Sequence, residues 1–301
     1  MRRRSALRDT LEYWIALAVV GSLAWTPLPV GNWLARRYAT LLDLALPRLR
    51  RVALSNLAMA LPELDSPARH RIADGVFRSI ARLLVTFARF PRIHRANIGD
   101  WIRYEGFEHF AAARKRGRGV LFATAHLGNW ELSAFAHAWM AAPMYVVIRP
   151  LDNPKIDALV ERRRMLSGNH LIGKKEYARG ILKALQGNEA VGILVDQNVS
   201  LDEGMFVDFF GFPACAGTGF AKLAAHTGAA VIPGFALWIE SERKYVLRFY
   251  PPIEMADDPE AGTRALHRQL EAVIREYPDQ WLWIHRRWKT RPPGEPAIYE
   301  T

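Results

Sequence analysis

Beyond Trp101 the chain alternates short apolar runs with amphipathic stretches, and this alternation limits its fold more than any other feature of the sequence. "GVLFATA" (119–125), "AVGILVD" (190–196) and "AAVIPGFALWI" (229–239) are apolar runs of strand length. Such runs suit strands buried on both faces. Between them "NWELSAFAHAWM", "NPKIDALVERRRMLSG", "YARGILKALQGN" and "TGFAKLAAHTG" carry helical patterns, some closed by glycine. Shorter strands are expected in "IRYEG", "PMYVVIR" and "KYVLRFYPP", a helix in "FEHFAAARKRG", and an amphipathic helix over 258–278. Together these predict an α/β fold: a mainly parallel central sheet flanked by helices. Residues 36–90 read as helical instead, with Ser66 and Pro67 as a helix start. There is no repeat, low-complexity tract or Gly-rich linker, so residues 36–301 are expected to form one domain with a helical front segment.

The first 35 residues pose a separate question. Residues 13–35 carry no charged side chain, and arginines flank them on both sides: Arg2, Arg3, Arg4 and Arg8, then Arg36 and Arg37. A helix needs about 20 apolar residues to cross a bilayer, and Trp14, Trp25 and Trp33 suit headgroup depth. A retained membrane anchor over 1–35 is expected, although Pro27 and Pro29 interrupt the pattern and leave an in-plane segment open. The arginines are too evenly divided to orient it. Across the chain 41 basic and 30 acidic residues leave a net charge of +11. That balance attracts nucleic acid, anionic lipid or an acidic protein without choosing among them. The single cysteine, Cys215, excludes a disulfide framework and reads as a small packed residue.

Ligands of open parallel sheets bind at the carboxyl ends of the strands. The expected strand ends lead to His126, Arg149, Asp196 with Gln197, and Pro233. In "TAHLGNWE" His126 leaves its strand, Asn129 opens the next helix and Glu131 falls in that helix's first turn. Taken alone, His126 could be a core histidine and Glu131 an acid favoured by the helix dipole. The alternative is a general base whose tautomer is fixed by a carboxylate. A serine-nucleophile elbow, a zinc-type histidine pair, a phosphate-binding loop and a dinucleotide fingerprint are all missing. His137 lies too far along the helix to share the His126 face. What remains is a base without a protein nucleophile, acting on a substrate hydroxyl.

His126 followed by Glu131 resembles the H-x4-[D/E] motif of glycerolipid acyltransferases. "EGFEHF", "HLGNWE", "IRPLDNPKID", "VDQN", "VDFFGFPACAGTG" and "WLWIHRRWKTRPPGE" together resemble the late acyltransferases of lipid A biosynthesis. The resemblance runs from Glu105 to Glu295 and implies the glycerolipid acyltransferase fold. It implies O-acyl transfer from acyl carrier protein or acyl-CoA to a hydroxyl of a phosphorylated lipid, a lipid A precursor by preference. His126 would be the base and Glu131 its orienting partner. Asn129, Arg149, Arg164, Asp196 and Gln197 would contact substrate. No metal, cofactor or nucleic acid is expected. The setting implied is the inner membrane, with the site facing the cytoplasm. Another glycolipid or phospholipid acceptor, or a non-catalytic anionic-lipid binder, are the competing readings. "ARKRGRG" and "ERRRM" are either contacts for such anions or solvated helix faces. "NVSLDEG", after Gln197, departs from the family pattern.

Overall fold

The structure is a computed structural model that describes residues 5–173, 177–255 and 258–299. Four helices lead: α1 (Ala6–Trp25), α2 (Leu28–Ala45), α3 (Pro47–Ala60) and α4 (Ser66–Arg89). The uncharged stretch over 13–35 is therefore not one helix. Thr26 is extended, with ψ 155°, and Pro27 supplies no backbone donor where α1 stops. Among the described residues no helix is long and apolar enough to cross a membrane, so the expected spanning anchor is corrected. Arg2, Arg3 and Arg4 lie outside the described residues. Leu23, Ala35 and Ala39 of the first two helices pack on Phe77, Ala81, Val85 and Ala88 of α4. Trp14, Trp25, Leu28, Val30 and Trp33 point outward and are exposed. Asp65, rather than Ser66, caps α4, its carboxylate accepting from the Ala68 N–H at 2.7 Å.

The remainder alternates as the sequence predicts. In chain order come β1 (Ile102–Glu105), α5 (Phe107–Lys115), β2 (Val120–Thr124), α6 (Trp130–Met140), β3 (Tyr145–Val147) and α7 (Pro154–Arg164). Then follow β4 (His170–Ile172), α8 (Tyr177–Gln186), β5 (Ala190–Leu194), β6 (Gly204–Phe209), β7 (Phe212–Gly217), α9 (Gly219–Thr227), β8 (Ala230–Ile239), β9 (Lys244–Phe249) and α10 (Pro259–Glu276). Seven strands form one sheet in the order β1-β9-β8-β2-β5-β3-β4, parallel except for β8 with β9. Phe122 packs on one face among Phe110, Phe135 and Phe249, while Leu121 and Ala123 pack on the other among Ile181, Val191 and Phe220. Burial on both faces explains the unbroken apolar run.

Two features differ from expectation. The strand end expected near Pro233 is instead a change of partner within one strand, which fills the 229–239 run to Ile239: it pairs with β2 up to Pro233 and with β9 from Gly234. β6 and β7 form a separate antiparallel hairpin whose turn places Phe210 and Gly211 at φ 59° and 77°. Phenylalanine is a rare residue in that left-handed position, so the turn carries only the glycine of the usual Asn-Gly signal.

Candidate active site

Parallel pairing of β2 with β5 sets Thr124 opposite Leu194. Two residues further along each strand stand His126 and Asp196, so the sheet register brings together groups 70 positions apart in the chain. Asp196 Oδ1 lies 2.9 Å from His126 Nδ1, and Oδ2 accepts the His126 backbone N–H at 3.0 Å. Trp281, fully buried, donates its indole N–H to the same Oδ2 at 2.9 Å. With a carboxylate on Nδ1 the ring proton belongs there, and the Nε2 lone pair is left free. Nε2 makes no hydrogen bond among the described residues, and the ring retains 16% exposure. Burial lowers the pKa of His126, but the charge and hydrogen bond of Asp196 outweigh it and the net shift is upward. Burial would raise the carboxyl of Asp196, yet His126 and the Trp281 N–H hold it down, at about 2.

The turn after His126 is narrow. Gly128 adopts φ +64°, and a Cβ there would stand 2.0 Å from the Ala236 carbonyl oxygen. Asn129 then caps α6, accepting from the Leu132 N–H at 3.0 Å and donating to Thr86 Oγ1 at 2.6 Å. It is fully buried, and both of its hydrogen bonds tie the start of α6 to the protein itself. Glu131 follows in the first turn of α6 and is taken up by Arg164, which grips it with two hydrogen bonds of 2.9 and 2.5 Å. The carboxylate on the imidazole is therefore Asp196, and the expected Glu131 contact to His126 is corrected. The reason is geometric: Glu131 is the second helical residue past the Asn129 cap, and its side chain meets the last turn of α7, where Arg164 sits.

Arg149 and Gln197 lie past the ends of β3 and β5 as expected, both are exposed, and His126 hydrogen-bonds to neither among the described residues. His137 is a core residue: its Nδ1 lies 2.9 Å from the Tyr104 hydroxyl and burial pushes its pKa down to about 3. Cys215 is fully buried, as expected of a packed residue. Sequence reasoning missed Trp281 and His285. The latter accepts the Asn198 backbone N–H on Nε2 at 3.3 Å, and Leu282 donates its backbone N–H to the His126 carbonyl at 3.0 Å. The quoted "WLWIHRRW" stretch was the only available signal, and spacing alone could not say what it would face.

A histidine base on a carboxylate, beside a carboxylate–guanidinium pair, at the open ends of a parallel sheet, defines a site suited to activating a hydroxyl. A family model described as bacterial lipid A biosynthesis acyltransferase matches residues 1–290. The chain is 29% identical to a lipid A biosynthesis palmitoleoyltransferase of Escherichia coli over 288 residues, 95% of this chain and 94% of that protein. It is 28% identical to the lipid A biosynthesis lauroyltransferase of the same organism, covering 95% and 94% of the two chains. The corresponding myristoyltransferase is 22% identical over 95% of this chain and 90% of its own length. The chain belongs to the bacterial lipid A biosynthesis acyltransferase family, and it is an acyltransferase.

Proposed function

We propose that the protein moves a fatty acyl chain from a thioester, on acyl carrier protein or coenzyme A, to a hydroxyl of a phosphorylated lipid A precursor. The observation that carries this reading is the His126–Asp196 pair with Nε2 unengaged. Nε2 takes the acceptor's proton as its oxygen attacks the thioester carbonyl. The C–O bond forms, the tetrahedral intermediate collapses, the C–S bond breaks, and the imidazolium returns the proton to the departing sulfur. Asp196 stabilises the imidazolium, so its effect falls mainly on the transition state. Arg164, held by Glu131, sits beside this point as a planar cation for an anionic group of the substrate. Membrane association is supported by the outward-facing tryptophans of α1 and α2, which suit a helix pair lying at the interface. We place the protein at the inner membrane with the site facing the cytoplasm. Transfer from a labelled acyl thioester to lipid A precursor tests the reading, with His126→Ala as control. A folded His126→Ala protein acting at the wild-type rate would end it.

A further inference from the structure

Near the α1–α2 corner one buried and one half-buried arginine have no carboxylate partner among the described residues. Arg89, the last residue of α4, is 8% exposed, and its Nη2 donates to the Thr26 carbonyl at the end of α1. Its Nε is buried and unpartnered. Arg163, in the last turn of α7, donates to the Ala88 carbonyl at 3.1 Å, and its Nε is likewise buried without a partner. Arg92 extends the group outward, its guanidinium 4.6 Å from the centre of the Trp25 ring. None of the three has a carboxylate partner among the described residues.

The electrostatics of these arginines run one way. Burial disfavours the charge of Arg89 and the neighbouring Arg92 disfavours it further. Burial and then Arg162 act alike on Arg163. Arg50 shows the opposite outcome: burial is overridden by Asp43 and Asp74, and its charged form is favoured. Helix C-terminal carbonyls repay part of the cost, because each helix C-terminus carries about half a negative charge. They do not replace an ion, since part of the desolvation penalty of an unpaired charge remains.

We propose that Arg89, Arg92 and Arg163 form a binding site for the phosphate of a membrane lipid headgroup at the corner where α1 meets α2. Guanidinium groups match phosphate oxygens in pairs. The location points to a lipid source: Trp25, 79% exposed, stands beside Arg92, with Leu28, Val30 and Trp33 exposed nearby. Tryptophan with apolar neighbours belongs at headgroup depth. The proposal rests on α1 and α2 facing the membrane, and not on the acyl-transfer chemistry. It also connects that surface to the active site, because Arg163 immediately precedes Arg164 on α7.

The full-length protein is melted in nonionic detergent with no added anion, with inorganic phosphate, and with a soluble short-chain phosphatidate. The wild type should melt higher with the phosphatidate, and Arg89→Met should lose that response while melting no lower than wild type without it. Sedimentation is then measured with phosphatidylcholine vesicles and with an equal mixture of phosphatidylcholine and phosphatidylglycerol. Arg92→Gln and Arg163→Gln should each weaken binding to the anionic vesicles about fivefold, as expected for one cation at a charged surface. Arg268→Gln, on exposed α10 surface, should change it less than twofold. These two variants decide the matter if Arg89→Met does not fold. No rise in the wild-type melt with phosphatidate, or vesicle binding unchanged in both variants, overturns the site. An equal rise with inorganic phosphate overturns the lipid source. Wild-type protein that ignores anionic vesicles, even while responding to the soluble phosphatidate, overturns the assignment of the site to a membrane lipid headgroup.

Discussion

Replacing Asp196 by asparagine separates tautomer control from mere contact. Two donors converge on Asp196 Oδ2: the His126 backbone N–H at 3.0 Å and the Trp281 indole at 2.9 Å. In Asp196→Asn the amide oxygen must turn to those donors, because an amide nitrogen there would set donor against donor twice. The amide N–H₂ then faces His126 Nδ1, which accepts, and the ring proton moves to Nε2. The side chain keeps its shape while the base is silenced. In serine proteases the analogous inversion costs roughly 10⁴-fold in kcat, equivalent to about 5.5 kcal/mol at 1.36 kcal/mol per decade. The same loss is expected here, measured as initial rates of labelled acyl transfer at saturating donor, with folding checked by thermal melting. Nitrogen-15 chemical shifts of His126 report the tautomer directly. If asparagine keeps the Nδ1–H tautomer, only the charge is lost, and the acid limb of the rate profile moves to lower pH with a smaller drop in rate. A folded variant within tenfold of wild type would refute the assignment of Asp196 as the group that holds the base.

Further outcomes follow from the same geometry. Because the His126 pKa is raised and only the neutral ring is a base, activity should fall as pH drops through a value above the usual 6.5. A profile whose acid limb lies below 6 would contradict the pairing. Arg164→Lys loses the two-point grip on Glu131, and misplacement of this order costs roughly 10²-fold. Kinetics of that variant near wild type would reduce the pair to a scaffold. Glu131→Ala with Arg164→Ala should be little worse than the more damaging single change if the two act as a unit, read from a double-mutant cycle. Trp281→Phe removes a hydrogen bond to a charged group, about 1.5–3 kcal/mol, and should lower both the melting temperature and the rate. A rate unchanged in that variant would show that Asp196 needs no indole.

The alternation of strands and helices was legible because strands buried on both faces must be apolar throughout and the crossover helices must carry one apolar stripe. Thus the β2, α6, β5 and α9 segments all stand where their patterns put them. β4 was not legible, since its three residues stand between Gly168–Asn169 and Gly173 with no longer apolar run around them, whereas the equally short β3 lies within "PMYVVIR". The β6–β7 hairpin was missed because Phe210 occupies the turn position usually held by asparagine or aspartate. The spanning anchor failed for a different reason. Residues 13–35 are uncharged on average, but hydropathy ignores chain geometry, and Pro27 divides them between two helices whose inner sides pack on α4.

At the site, the positions were legible and the partnerships were not. His126, Glu131, Arg164 and Asp196 all stand at or just beyond strand and helix ends near one another, yet they pair as His126 with Asp196 and Glu131 with Arg164. Sequence proximity favours the first pairing one imagines, between His126 and Glu131. Sheet register overrides it, because Thr124 opposite Leu194 makes His126 and Asp196 neighbours whatever lies between them. The left-handed turn at Gly128 then carries the chain away from the ring before Glu131 is reached. Two carboxylates consequently serve one imidazole and one guanidinium at one site. Asp196 must remain ionised to attract a proton onto the ring, and Glu131 holds a permanent charge on Arg164 in place. In the proposed mechanism this separation would let His126 cycle between neutral and charged forms while the neighbouring guanidinium stays fixed.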